Sequence, residues 1–178
     1  RMESLDSQNN INMLWGMSSL RSFTSIIPSS TFELYDLLDI ERSVNSRPET
    51  SHYALRSLTG VKYLIVPGNY DSEKLDEALS DLRQFQYLED QDGWKIYVNT
   101  AVMPMGYAYD TYMLTDDAKK ENPVDNAMVG SVILTEEQAE KYSDILTERH
   151  SENLTVEQKY QRFLSDVRER QELGAKQF

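Results

Sequence analysis

The chain has no cysteine among its 178 residues and only two histidines, His52 and His150. The absence of cysteine excludes disulfide bonds, thiolate metal sites and a cysteine nucleophile. A serine hydrolase needs a base within hydrogen-bond reach of its nucleophile, and the sequence has two histidines and no G-x-S-x-G turn. We therefore predict no catalytic residue, no metal site and no cofactor.

Positive charge is also scarce. Eighteen basic residues face 30 acidic ones, which gives a formal net charge of −12, and such a chain repels nucleic acid phosphates and anionic lipid headgroups. We expect no nucleic acid partner. No apolar run approaches the roughly 18 to 20 residues of a membrane-spanning helix, so we expect a soluble piece. The chain starts at Arg1 without a signal-peptide pattern, and we interpret it as a fragment excised from a longer protein.

The stretch from Leu58 to Pro67 predicts the central strand of a sheet. Residues 61 to 66 are almost all β-branched, aromatic or aliphatic, and Gly60 and a Pro-Gly pair enclose them, which is typical of a strand buried on both faces. Helical spacing of apolar residues predicts a helix before this strand, from His52 to Leu58, and another after it, from Ser72 to Phe85. This order indicates an α/β core.

Further elements surround this core. We expect irregular loops with one or two short strands in residues 1 to 30, then a short helix over Thr31 to Ile40 with a wide buried face. Two apolar segments, 85 to 88 and 94 to 98, flank turn residues that include an Asp-Gly pair, so we predict a hairpin.

The last part of the chain has a helical pattern. Thr135 with Gln138, and Thr155 with Gln158, are typical of capping boxes that open two amphipathic helices. A shorter helix is expected within residues 122 to 134. The predicted fold class is α/β, with a mixed β-sheet flanked by helices and a helical C-terminal portion. We expect residues 1–121 to form the α/β core and residues 122–178 to form a helical subdomain packed on it.

A group of arginines is the best candidate for a binding site. Arg42, Arg47 and Arg56 lie within fifteen residues of one another in a chain that is short of positive charge. Guanidinium groups bind phosphate and carboxylate bidentately, so these arginines could hold an anionic ligand together with polar residues of the N-terminal segment. The predicted binding residues are Asn9, Asn10, Ser22, Ser25, Arg47 and Arg56. The alternative, which charge counts favour, is pairing of the arginines with Glu33, Asp36, Glu41 and Glu49.

Aromatic side chains offer a second kind of contact. Tryptophan and tyrosine rings can stack on the apolar faces of sugars. The candidates are Trp15, Tyr70, Trp94, Tyr107, Tyr109 and Tyr112. For Trp94, core packing is the favoured interpretation.

Several segments together resemble the extracytoplasmic part of the bacterial YfhO family. The resemblance covers roughly residues 1 to 112 in order and spacing, and it lies in the series of segments rather than in one mechanistic motif. The segments are Asn9-Asn-Ile-Asn-Met-Leu-Trp-Gly-Met-Ser-Ser-Leu-Arg-Ser-Phe-Thr-Ser25, Phe32-Glu-Leu-Tyr-Asp36, Ser46-Arg-Pro48, Tyr53-Ala-Leu-Arg-Ser-Leu-Thr-Gly-Val-Lys-Tyr-Leu-Ile-Val66, Trp94-Lys-Ile-Tyr97 and Pro104-Met-Gly-Tyr-Ala-Tyr109.

The resemblance implies a specific cellular role. Members are regarded as polytopic membrane glycosyltransferases that use a lipid-linked sugar and are implicated in glycosylating lipoteichoic acid. The catalytic carboxylate of such enzymes is expected in a loop between the first transmembrane helices, outside this fragment, which would then be non-catalytic and extracytoplasmic. The implied partners are the transmembrane portion of the same polypeptide and a lipid-linked sugar or an anionic cell-envelope polymer. The alternative is a ligand- or protein-binding module of a membrane protein without transferase activity.

Overall fold

The computed structural model describes residues 1–5, 10–23, 26–41 and 45–175. The chain divides into two compact units, Arg1–Val102 and Met103–Phe178. This division lies earlier than the boundary after residue 121 that the sequence suggested. The reason is a strand of residues 111–114, which pairs with strands that come later in the chain.

The first unit contains a four-stranded mixed sheet. Its elements in chain order are β1 (Met2–Ser4), α1 (Ile11–Leu14), β2 (Ser22–Phe23), α2 (Ser29–Leu37), β3 (Asn45–Ser46), α3 (Tyr53–Leu58), β4 (Tyr63–Pro67), α4 (Ser72–Asp81), β5 (Phe85–Gln91) and β6 (Trp94–Asn99). The sheet order is β1-β4-β6-β5. β1 is parallel to β4, whereas β4 and β5 are antiparallel to β6. β2 and β3 form a separate antiparallel pair.

β4 is an inner strand of the sheet, as predicted. Leu64 and Val66 are fully buried, and they belong to a core to which α4 contributes Leu75. The helix α4 begins where its N-cap residue, Asp71, accepts a hydrogen bond of 3.0 Å from the backbone N–H of Lys74. The helices predicted on either side of the strand are both present.

The β5–β6 hairpin is also confirmed. Asp92 and Gly93 connect the strands with φ angles of 49° and 81°. A two-residue hairpin turn with both φ angles positive matches the right-handed twist of the strands, and Asp-Gly is a favoured pair for it. The backbone N–H of Gly68 donates to the carbonyl oxygen of Gly93 at 2.7 Å, so the end of β4 lies against this turn.

The N-terminal helices differ from the sequence prediction. The short helix α1 was not expected, and α2 covers Ser29–Leu37 rather than Thr31 to Ile40. The wide buried face predicted for α2 is wrong, because Tyr35 is its buried residue and Phe32 is 52% exposed. Apolar spacing indicates a helix, but it does not show whether a neighbouring element covers each apolar residue.

The second unit contains a three-stranded parallel sheet of order β8-β7-β9. Its elements are β7 (Thr111–Leu114), α5 (Thr115–Ala118), α6 (Asp125–Gly130), β8 (Val132–Leu134), α7 (Glu136–Tyr142), β9 (Thr147–Glu148) and α8 (Val156–Ala175). Both predicted capping motifs are present at the starts of α7 and α8. The single helix predicted within 122–134 is wrong, because this segment forms α6 and then the strand β8. The α/β class with a helical C-terminal portion is confirmed.

Candidate functional site

A cleft of about 670 Å³ lies at one edge of the first unit. It adjoins the carboxyl ends of the parallel strands β1 and β4, because Leu5 follows β1 and Pro67 ends β4. In open α/β sheets this edge is the usual place for a ligand. We call it the basic cleft; its lining residues are Leu5, Arg21, Arg47, Pro67, Asn69, Tyr70, Asp71, Lys74 and Trp94.

The β2–β3 ladder explains why two arginines line the same cleft. Ser22 pairs with Ser46 in antiparallel register, so the residue before Ser22 and the residue after Ser46 come opposite each other. Those residues are Arg21 and Arg47. The guanidinium of Arg21 also donates to the carbonyl oxygen of Ser4 at the end of β1, which connects this arginine to the sheet edge.

The start of α4 supplies the cleft with a third positive charge, Lys74, and with one negative charge, that of the N-cap residue Asp71. The Asp71 carboxylate accepts from the backbone N–H of Lys74 as the helix cap, so part of its hydrogen-bonding capacity is used within the helix. The described lining of the cleft therefore has three basic side chains and one acidic one. In the whole chain, by contrast, acidic residues outnumber basic ones.

Two aromatic residues, Tyr70 and Trp94, complete the walls of the basic cleft. Trp94 also lines a second cavity of about 300 Å³ together with Trp15 and Met2. The two indole rings meet edge to face with their centroids 5.5 Å apart. Such aromatic pairs are favourable beyond their buried area, so Trp15 holds Trp94 in position between the two cavities.

The other three candidate aromatic residues belong to the second unit and make contacts within it. Tyr109 donates to the carbonyl oxygen of Met128 and packs edge to face against Tyr107. Burial is the main cause that raises the pKa of the Tyr109 hydroxyl. Tyr112 is buried, and its hydroxyl contacts the Glu148 carboxylate at 3.2 Å. Tyr109 and Tyr112 therefore have local structural partners.

Arg56 is buried, whereas Arg47 is exposed. Its side chain is 1% exposed, and its Nε and Nη2 donate to the two carboxylate oxygens of Glu3, each at 2.9 Å. The remaining N–H groups donate to the backbone carbonyl oxygens of Pro48, Glu49 and His52. With these acceptors Arg56 has no N–H left for an external anion, so its role is structural.

The polar residues of the predicted site are partly described. Asn10 exchanges two hydrogen bonds with the backbone of Phe23, at 2.8 and 3.2 Å, and Ser22 lies in β2 opposite Ser46. Asn9, Ser25 and Arg42 lie outside the described residues. The sequence prediction missed Arg21 and Lys74. Arg21 precedes the predicted Ser22, but the two-residue strands that align it with Arg47 are too short to leave a periodic signal.

Comparison with known protein families decides the assignment of the chain. The family described as bacterial membrane protein YfhO matches residues 1–172. The chain belongs to the YfhO family. No curated protein and no solved structure matches it.

The YfhO family is one of bacterial membrane proteins. None of the helices in the described part of this YfhO-family chain combines the length and the apolar character needed to cross a membrane. Within the same residues, no group of three or more His, Asp or Glu side chains is placed to hold a metal ion. The basic cleft places cationic side chains, which suit an anion, beside two aromatic residues.

Proposed function

We propose that this chain is a non-catalytic, extracytoplasmic domain of a polytopic bacterial membrane protein, and that its basic cleft binds an anionic glycan or glycosyl phosphate. One observation carries the proposal. Arg21, Arg47 and Lys74 converge on a single cleft beside Trp94, in a chain whose net charge is −12. A local concentration of positive charge attracts an anion to this cleft, although the rest of the chain repels it.

The residue types suit phosphate. Arginine carries a planar fork of N–H donors that matches phosphate oxygens, and lysine adds a mobile point charge. Arg47 and Lys74 are exposed, so a ligand reaches them without a rearrangement of the core. The Asp71 carboxylate repels an anion, and a bound phosphate is therefore expected nearer the two arginines than this carboxylate.

The aromatic walls suit a sugar next to that phosphate. The faces of Trp94 and Tyr70 can stack on the apolar face of a pyranose ring. Ligand sites typically have volumes of roughly 300 to 1,000 Å³, and the cleft of about 670 Å³ lies in that range. By volume, we expect this space to take a phosphate with one or two sugar or polyol units.

The resemblance to the YfhO family suggests which anionic glycan the cleft binds. It associates such proteins with transfer of a lipid-linked sugar to lipoteichoic acid, a glycerol phosphate polymer. In this scheme the transmembrane portion of the same polypeptide carries out transfer, and the chain described here holds the donor or the acceptor on the outer side. The proposed partners are that transmembrane portion and the phosphate-bearing glycan.

Calorimetry with the chain and a short glycerol phosphate oligomer tests the proposal. We expect saturable binding that weakens as salt rises, because exposed charges are screened within about 10 Å at 0.1 M salt. Arg21→Ala with Arg47→Ala should lower the affinity at least about tenfold, the loss of roughly 1.4 kcal/mol. Lys62→Ala with Arg83→Ala removes the same charge from the same unit outside the cleft and serves as the matched control. Equal losses in both double variants would show that only net charge matters, and the cleft proposal would be abandoned.

The alternative, a binding module in a protein without transferase activity, uses the same cleft. The full-length parent separates the two roles. If the domain serves transfer, the double variant Arg21→Ala with Arg47→Ala loses glycosylation of the acceptor polymer at normal protein levels. Binding that is lost while glycosylation continues unchanged would favour the alternative.

A further inference from the structure

The loop from Asn10 to Phe23 has its ends fixed together. The Asn10 side chain donates through Nδ2 to the Phe23 carbonyl oxygen at 3.2 Å and accepts from the Phe23 N–H at 2.8 Å. Inside the loop, Asn12 is buried and donates to the Ser19 hydroxyl at 3.0 Å. Compact surface loops with closed ends are frequently functional. We call residues 10–23 the N-terminal loop.

The N-terminal loop exposes large apolar side chains at its tip. Leu14 is 79% exposed, Met13 53% and Trp15 45%, and Met17 and Phe23 are also exposed. Isolated exposed apolar residues are ordinary, whereas a contiguous set is typical of an interaction surface. Asn12 also donates to the Met2 carbonyl oxygen of β1 at 3.4 Å, so polar side chains hold the loop to itself and to the sheet while its large apolar side chains stay exposed.

The charge pattern indicates what this surface meets. Between Asp6 and Glu33 the sequence has no acidic residue and one basic residue, Arg21, although the chain has 30 acidic residues in 178. It is the longest stretch of the chain without a carboxylate. Bacterial bilayers carry anionic headgroups that repel carboxylates and attract basic side chains. Such a lipid surface repels the acidic remainder of the chain. The apolar tip lies in a segment without carboxylates, so it can approach the lipid without this repulsion.

The residue types fit the boundary between lipid headgroups and acyl chains. Tryptophan is enriched at that depth because its ring is apolar and its N–H is polar, and leucine and methionine supply the apolar area that drives insertion. The chain also belongs to a family of membrane proteins. We propose that the tip of the N-terminal loop, Met13, Leu14, Trp15 and Met17, inserts into the interfacial region of a lipid bilayer.

This inference does not rest on ligand binding in the basic cleft, although it adds to it. Arg21 belongs to the N-terminal loop and lines the basic cleft, and Trp15 contacts Trp94 in the cleft wall. Insertion of the loop tip would hold the cleft close to the headgroups. A phosphate carried on a membrane lipid or polymer could then reach the arginines.

Fluorescence with lipid vesicles tests the proposal. The chain has two tryptophans, so Trp94→Phe leaves Trp15 as the single reporter. On addition of phosphatidylcholine vesicles containing one-quarter phosphatidylglycerol, we expect the Trp15 emission to shift to the blue. Lipids brominated on their acyl chains should quench it. An unchanged spectrum over the full range of lipid concentration would overturn the proposal.

A pair of double variants identifies the inserted residues. Met13→Ser with Leu14→Ser should lower vesicle partitioning about tenfold, because two exposed apolar side chains lose their burial in lipid. Leu88→Ser with Met105→Ser is the matched control, since it removes the same two residue types from exposed positions elsewhere, and it should partition as the unchanged chain does. Melting curves of both variants establish that they are folded.

Two further outcomes would also overturn the proposal. Equal loss of partitioning in both double variants would mean that any exposed apolar residue contributes. Self-association without vesicles that disappears in Met13→Ser with Leu14→Ser would mean that a second copy of the chain covers the loop. Vesicle binding and glycerol phosphate binding are measured separately, so failure of one proposal is distinguishable from failure of the other.

Discussion

Arg56 and Glu3 form a bidentate ion pair that joins α3 to β1, and both side chains are almost completely shielded from water. β1 is a three-residue strand at the edge of the sheet, and it precedes the N-terminal loop. Three backbone carbonyl oxygens accept the remaining N–H groups of Arg56. The pair therefore holds β1 in place. The N-terminal loop and Leu5, which lines the basic cleft, both follow β1 in the chain.

The substitution Arg56→Ala should lower the free energy of unfolding by about 3 to 5 kcal/mol, because it leaves the Glu3 carboxylate buried without a partner. Urea denaturation of the chain measures the change. Arg47→Ala is the control and should cost less than about 1 kcal/mol, since Arg47 is exposed. Similar losses for the two arginines would contradict the difference in burial between Arg56 and Arg47.

The inner strand β4 gives a second prediction. Leu64 is fully buried, so Leu64→Ala should destabilise the chain by about 2 to 5 kcal/mol through lost burial and a residual cavity. Leu88→Ala makes the same chemical change at a half-exposed residue of β5 and should cost well under about 2 kcal/mol. Thermal and urea denaturation of the two variants give the comparison. A small loss at Leu64 would contradict the packing of the sheet.

The β5–β6 turn gives a third prediction. Gly93 has φ of +81°, where an L side chain is strained, so Gly93→Ala should cost about 1 kcal/mol. Gly106 is the matched control, because it has no left-handed φ and an added Cβ would meet open space. Gly106→Ala should be neutral or slightly stabilising. Equal melting temperatures for the two variants would contradict the left-handed turn.

The elements predicted correctly from sequence are those whose signals are local and strong. β4 has an unbroken apolar run, the hairpin has its Asp-Gly pair, and α7 has the Thr135–Gln138 capping box, in which the Gln138 side chain accepts from the Thr135 N–H at 3.0 Å. In each case a few adjacent residues determine the backbone conformation. Periodicity and turn chemistry are therefore sufficient evidence for these elements.

The elements missed are those that depend on distant partners. β8 has three residues and β9 has two, and both are strands because they pair with β7. The candidate site shows the same limit. Arg47 was predicted from its charge. Arg21 comes beside Arg47 through the two-residue ladder between β2 and β3. Lys74 lines the same cleft from the start of α4. Long-range pairing of short segments leaves no periodic pattern in the sequence.

A pH dependence is expected from Asp117 in the second unit. Its carboxylate accepts from Lys120 Nζ at 2.9 Å and from the Ser151 backbone N–H at 2.7 Å. The hydrogen bond from Lys120 is the largest cause, followed by that from Ser151, of a pKa lowered from the usual value of the carboxyl. The charged carboxylate is thus favoured by the folded state.

The sign of the effect follows from that lowered pKa. The contribution of Asp117 to stability is present above the pKa of the unfolded chain, about 4, and it is lost as the pH falls through the lower pKa of the folded state. Asp117→Asn should therefore lower the melting temperature at pH 7, and the difference from the unchanged chain should shrink as the medium is made strongly acidic. Asp116→Asn is the matched control, because it removes the same charge from the same turn of α5, where Asp116 is exposed. Melting curves from pH 7 to pH 2 measure the effect, and a constant difference between Asp117→Asn and the unchanged chain over that range would contradict the role of the Asp117 carboxylate.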